Sequence, residues 1–557
     1  MTKARDLADL IAAGNPLADG VISVAEVSGA APLASPTLTG TVTMGGTTYP
    51  NSDGTEGQVL TTDGSGAVSF ADPAGGGSAD FVASGAIANG DVVSLNSNGT
   101  VSVVQGQSQS ISTPVVNNSG DSQWTKAVFD SNSNKVVVMY KDGTNSNYGT
   151  AAVGTVSGTN ISFGSPVVFL SGALSYPSAV FDSNSNKVVI SYRDGGNSGY
   201  GTAIVGTVSG TSISFGTAVV FEADNTLYVS SVFDSNSNKV VISYRDNGNS
   251  AYGTAIVGTV SGTSISFGSP TVFMNNGAIW KVTATFDSNL NKVIIAYSDI
   301  ANSQRGTAIV GTVSGTSISF GTAVVFETTT SDYISATYDV NASKVVIAYR
   351  DVDNSGHGTA IVGTVSGTSI SFGTAVVFEA ASTLDVSAFF DSNFNKIFIA
   401  YRDNGNSNYL TAIYGTVNGT SINFDTASVL VNNSSNSMSA VFDSNSNKVV
   451  IAYIDASNSN SATSLVFTPF STNALSYIGV ADGAISDTAT GKITINGGVN
   501  EGQSSLAVNA TYYVADNGDL QTTNNGRKIG KAISATKLLV NSNMSGDEMN
   551  AYLGGLV

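Results

Sequence analysis

Seven near copies of one phrase dominate this chain. Each opens on an aromatic-Asp pair, at Phe129-Asp130, Phe181-Asp182, Phe233-Asp234, Phe286-Asp287, Tyr338-Asp339, Phe390-Asp391 and Phe442-Asp443, and successive pairs stand 52, 52, 53, 52, 52 and 52 residues apart. A repeat of this length builds a solenoid, a propeller or an array, and the contents of the unit decide which. In the unit beginning at Ser178, SAVFD reads as a first strand, KVVISYRD as a second, GTAIVGTV as a third and SISFGTAVVF as a fourth. The turns SNSN and SGT and the loop GGNSGY separate them. Four antiparallel strands joined by tight turns make one propeller blade. A helical solenoid would need a 3.6-residue apolar period, and none is present.

The ends of the repeat region predict a closed ring. The seventh unit keeps its third strand, TSLVFTP at Thr463 to Pro469, but never supplies SGTSISF. The missing strand lies ahead of the first unit, where Thr113, Pro114, Val115 and Val116 fall 52 residues before Ser165, Pro166, Val167 and Val168. Six complete units and one divided between both ends describe a seven-bladed propeller, residues 105–476, whose N-terminal strand completes the last blade and covers the open edges.

The flanking segments 79–104 and 477–541 carry short strands between Gly, Asn and Asp turns, each too short to fold alone. Together they are expected to form one small β-barrel or sandwich interrupted by the propeller. Residues 1–78 differ in kind: a short amphipathic helix with Leu7, Leu10 and Ile11 on one face, then Thr/Gly/Ser-rich strands without a core, then the linker AGGGS. Residues 14–73 are expected to order only by self-association. At the far end, 542–557, Ser545 and Glu548 have capping-box spacing for a brief helix.

Composition narrows the chemistry. The chain has no cysteine, a single histidine (His357), and a formal charge of −18 although only 11% of its residues are charged. Thiolate sites and most imidazole chemistry are excluded, and with no basic run to neutralise phosphates no nucleic-acid partner is expected. The N-terminus has Arg5, Asp6 and Asp9 where a signal peptide needs an apolar core, and no 18-residue apolar stretch occurs, so neither export nor membrane insertion is expected.

ASPTLTGTVT (Ala34 to Thr43) and GTEGQVLTTDGSGAVSF (Gly54 to Phe70) resemble shaft and connector phrases of bacteriophage tail-fibre proteins, and MTKARDLADLIAAG resembles the start of such fibres in marine phages. GDVVSL, YIGVA and GRKIGKAIS look like parts of small β domains of phage virion proteins. The resemblance implies a homotrimer made in the host cytoplasm and displayed on the virion surface. Its N-terminal part would be held by other tail or capsid proteins, and its distal part would bind a host-surface glycan or protein. Two alternatives stay open: a purely structural decoration of capsid or tail, and a glycan-degrading tailspike.

The unrepeated residues are the candidates for function. The position five before the aromatic-Asp pair, counted as six across the 53-residue step, holds Trp124, Tyr176, Tyr228, Trp280 and Tyr333, then Asp385 and Ser437. The loop after Asn-Ser adds Tyr148, Tyr200, Tyr252, Arg305, His357 and Tyr409. These rings either wedge between blades as core or form a receptor-binding rim that stacks on sugars or apolar surfaces. The repeated Asp142, Asp194, Asp246, Asp299, Asp351, Asp403 and Asp455 read as loop caps, each accepting backbone N–H groups. The same carboxylate in the same setting seven times argues against a sialidase-like centre around Tyr192, Arg193 and Asp194, so no enzyme activity, catalytic residue or cofactor is expected. DSNSN lacks the glycine and final glutamate of a calcium loop, so it reads as a turn and not as a metal site.

Overall fold

The computed structural model describes most of residues 77–541 and, ahead of them, residues 42–44, 47–49, 59–62 and 67–71. The short helices expected around Leu7, Leu10 and Ile11 and after Ser545 lie outside the described residues. The chain divides into two compact units, Gln107–Ser471 and Met1–Gly106 with Thr472–Val557. Both are built from antiparallel β-sheet.

Gln107–Ser471 is a seven-bladed propeller. In each blade the first strand, such as Leu174–Asp182, lines the axis and pairs with the second, Lys187–Asp194, which pairs with the third, Tyr200–Ser209. The fourth strand is broken in two, Ser212–Phe215 and then Val219 onward, both parts pairing with the third. The break falls on a glycine because the neighbouring blade leaves no room: a Cβ on Gly216 would run into the carbonyl oxygen of Thr263 in the next SGT turn.

Second strands do not alternate apolar and polar. Val188, Val189, Ile190, Ser191 and Tyr192 are all fully buried, since both faces of the strand meet a neighbouring blade. The second-strand tyrosines, Tyr140, Tyr192, Tyr244, Tyr297, Tyr349, Tyr401 and Tyr453, are the largest fully buried side chains. Several pack on a fourth-strand phenylalanine, with ring centroids 5.2 Å apart for Phe221 and Tyr244. The Tyr244, Tyr349 and Tyr401 hydroxyls donate to Glu222, Glu327 and Glu379.

The ring closes as the sequence predicts. Ser110–Ile111 and Val115–Asn118 pair with Ser461–Thr468, the third strand of the seventh blade. First strands pack around the axis in order, and the seventh meets the first. The closing seam also explains why the sixth unit departs from the consensus. In complete blades a third-strand glycine, such as Gly206, sits against an isoleucine, here Ile213. In the seventh blade Gln109 stands at the isoleucine register, and Phe467 replaces the glycine and packs on Phe398 at 5.9 Å. No SGT turn follows the seventh third strand, so the crowded glycine position of the sixth blade is free to become Asp425, which pairs with Lys396 at 2.7 Å.

The other unit contains two five-stranded sheets. One sets Ser78–Val82, Thr490–Thr494, Tyr477–Ala481, Val92–Leu95 and Val101–Val103 side by side, so strands from before and after the propeller share one sheet. The second is Val499–Asn500, Leu538–Val540, Lys528–Ala532, Thr511–Val514 and Leu520–Gln521. Val92, Val104, Tyr477, Val514, Ile529 and Leu538 are buried together in one core.

Candidate functional site

Every first strand of the propeller carries a bulge at the same place. Pairing with the second strand skips between Ser175 and Ser178, Leu227 and Ser230, Asp332 and Ser335, and at the matching point of the other blades. The residue at the bulge is left-handed in all seven: Trp124 (φ 56°), Tyr176 (50°), Tyr228 (49°), Lys281 (42°), Tyr333 (47°), Asp385 (47°) and Ser437 (40°). Such a conformation costs a non-glycine residue about 1–2 kcal/mol, and its repetition by large side chains marks a position held for a purpose. Bulges re-aim side chains, and these seven line one axial cavity of about 190 Å³.

The register corrects the expected alignment in one blade. The residue five before Phe286 is Lys281, and it alone occupies the ring position there; the added residue of the 53-residue step lies upstream, between Phe273 and Ile279. Trp280 pairs opposite Ser298, remains 38% exposed, and stacks against Tyr228 at 6.3 Å without lining the cavity. Trp124, Tyr176, Tyr228 and Tyr333 do meet there. Trp124 and Tyr176 are 4.6 Å apart, Tyr176 and Tyr228 4.9 Å, and the Lys281 ammonium lies 5.5 Å from the Tyr228 ring centre and 4.8 Å from that of Tyr333. Burial, then the neighbouring Tyr176, pushes the Tyr228 hydroxyl up to about 12.

Asp385 is engaged within the ring. Its carboxylate lies 3.1 Å from Arg402 Nε and accepts the Ser437 N–H at 3.3 Å. One layer deeper, the axis is lined by Ser178, Ser230, Ser335, Ser387 and Ser439, whose hydroxyls accept a backbone N–H from the next blade's first strand at 2.9–3.2 Å. The last of these, Ala127 N–H to Ser439 Oγ, spans the closing seam. In the first blade this serine is replaced by Lys126, whose exposed side chain lines the axial cavity. Desolvation holds its ammonium below the ordinary lysine range; Asp385 opposes that shift and Lys281 adds to it.

Tyr148, Tyr200, Tyr252, His357 and Tyr409 lie elsewhere. Each is half-buried, begins a third strand, and pairs opposite the loop aspartate of its own blade, as Tyr200 does with Asp194. They do not line the axial cavity. All seven loop aspartates accept a backbone N–H across the loop, at 2.9–3.2 Å. The aspartates of the DSNSN turns do likewise; Asp182 Oδ1 accepts from Asn184 and Ser185, both at 2.9 Å. Lys126 was not among the expected site residues, although a lysine where the other repeats hold serine or threonine is itself a signal.

No protein-family model matches this chain, and no curated protein matches it. Solved structures similar to it include the BP39L lectin from Burkholderia pseudomallei (9% identity, TM-score 0.49, covering 64% of this chain and 98% of that one). The SapL1 lectin, solved in complex with alpha methyl fucoside, is another (13%, 0.35, covering 56% and 97%). A leech intramolecular trans-sialidase, complexed with 2,7-anhydro-Neu5Ac, also matches (8%, 0.40, covering 70% and 97%). At such identities and scores, no activity passes from these proteins to this chain. The trans-sialidase nevertheless corrects the expectation that the chain is not an enzyme. That expectation rested on seven equivalent loop aspartates, whereas the residues gathered at the axis are chemically unlike one another.

Proposed function

We propose that the propeller is a glycan-binding domain and that its site is the axial ring. The observation that carries this reading is the convergence of Trp124, Tyr176, Tyr228 and Tyr333 on one cavity that also presents lysine, carboxylate and hydroxyl groups. Sugars offer apolar C–H faces and a fringe of hydroxyls, and they are held by rigid aromatic planes with a few fixed polar groups. The resemblance of residues 1–78 to fibre shafts supports a setting on a phage virion, as a trimeric fibre that reaches a host-surface glycan. The test is a glycan array probed with the intact chain and with Trp124→Ala, after both are shown to melt alike. Loss of one stacking plane is expected to weaken binding by about 1–3 kcal/mol, roughly 5- to 150-fold. Equal binding by the two proteins, or no glycan bound by either, overturns the reading.

A further inference from the structure

The charges at the axis run against the rest of the molecule. The chain carries 22 basic and 40 acidic residues, yet two lysines, Lys126 and Lys281, face the same small cavity. Neither follows its repeat: Lys126 replaces a serine or threonine, and Lys281 stands where three other blades place tyrosine and one places tryptophan. The first replacement gives up a structural element, because an ammonium group has no lone pair with which to accept the inter-blade N–H that five serines accept. Lys281 lies over two aromatic rings. The cavity's one carboxylate, Asp385, is already paired with Arg402, and among the described residues neither lysine has an ion-pair partner within 4 Å. Two ammonium groups without an ion-pair partner, facing one cavity beside aromatic planes, form a receptor for an anion attached to a ring.

Resting on the glycan-binding reading, we infer that the axial ring selects acidic sugars: a carboxylate or sulfate sits between Lys126 and Lys281 while the sugar ring stacks on the Trp124–Tyr176–Tyr228 wall. A neutral sugar leaves both ammonium groups desolvated without compensation, which builds discrimination against it into the site.

The experiment is calorimetric titration of the full chain with matched pairs: a galacturonate oligomer against its galactose counterpart, sialyllactose against lactose, and sulfated against unsulfated galactose, with inorganic sulfate alone as a fourth arm. Acidic members are expected to bind at least about tenfold more tightly than their partners, with affinity falling as salt rises. Lys126→Met and Lys281→Met should each remove about tenfold or more from binding of the acidic member, and so shrink or abolish its advantage over the neutral one. The arm that binds distinguishes carboxylate from sulfate recognition, and sulfate binding without sugar binding reduces the site to an anion site and overturns the inference. Equal binding of acidic and neutral members, or lysine variants that bind as wild type, also overturns it while the glycan reading stands. If no sugar of either kind binds, the glycan reading fails first and the inference falls with it.

Discussion

Closure of the ring rests on a strand contributed from far away in sequence, and Ser112 is where that dependence can be measured. Its N–H donates to the Val466 carbonyl at 2.9 Å, and its hydroxyl accepts the Val466 N–H, also at 2.9 Å. Val466 is fully buried, so no water replaces a lost partner. Ser112→Ala strands one buried N–H, at about 1–3 kcal/mol; Ser112→Pro strands the carbonyl as well, for a total of roughly 2–6 kcal/mol. Each kcal/mol lowers the melting temperature of a large domain by about 2 °C. The alanine variant is therefore expected to melt about 2–6 °C lower and the proline variant about 4–12 °C lower, read by circular dichroism or calorimetry on the full chain. A freed edge of the seventh blade should also make the proline variant aggregate on heating. A proline variant that melts within about 1 °C of wild type refutes the reasoning, because the N-terminal strand would then lie outside the cooperative unit.

Three further outcomes follow from the packing. Gly216→Ala places a methyl group against the Thr263 carbonyl and should cost about 1–3 kcal/mol or more, whereas Asp425→Gly, at the equivalent but uncrowded seam position, should lose only the exposed pair with Lys396, at most about 1 kcal/mol; urea unfolding separates the two. Tyr244→Phe removes a hydroxyl bonded to Glu222 and should cost about 1–2 kcal/mol, while Tyr192→Phe removes a buried hydroxyl that has no hydrogen-bond partner among the described residues and should stay within about 0.5 kcal/mol of wild type. Lys126 faces Lys281, Asp385 and the ring tyrosines, and its ammonium lies below its ordinary 10.5, so between that lowered value and 10.5 the unfolded chain binds more protons than the folded one. The cost of partly desolvating the ammonium is present at neutral pH and is relieved as pH rises through this window; because the side chain keeps exposed surface the effect is small, so Lys126→Met should melt slightly above wild type at neutral pH and lose that advantage toward pH 10.5, and a pH-independent difference refutes the assignment.

Much of the fold was legible because the repeat is local chemistry written seven times. The aromatic-Asp pair, the SNSN and SGT turns and the β-branched runs each specify a strand or a turn over a few residues, and a missing SGTSISF at one end with its register mate at the other is a statement about closure. The axial site was only half legible, for two physical reasons. Ring residues come from units 52 or more apart, so their meeting depends on closure and on a bulge that turns each side chain toward the axis, and neither leaves a local signature. The inserted residue in the fourth unit drew attention to Trp280, when the bulge keeps a constant distance from Phe286 and selects Lys281. Sequence by itself determined the number of blades, the strands within each blade and the divided last blade, because hydrogen-bonded hairpins follow from short-range pattern. Only the tertiary structure decided that two lysines share one aromatic-walled cavity, because that cavity does not exist until the seventh first strand packs against the first.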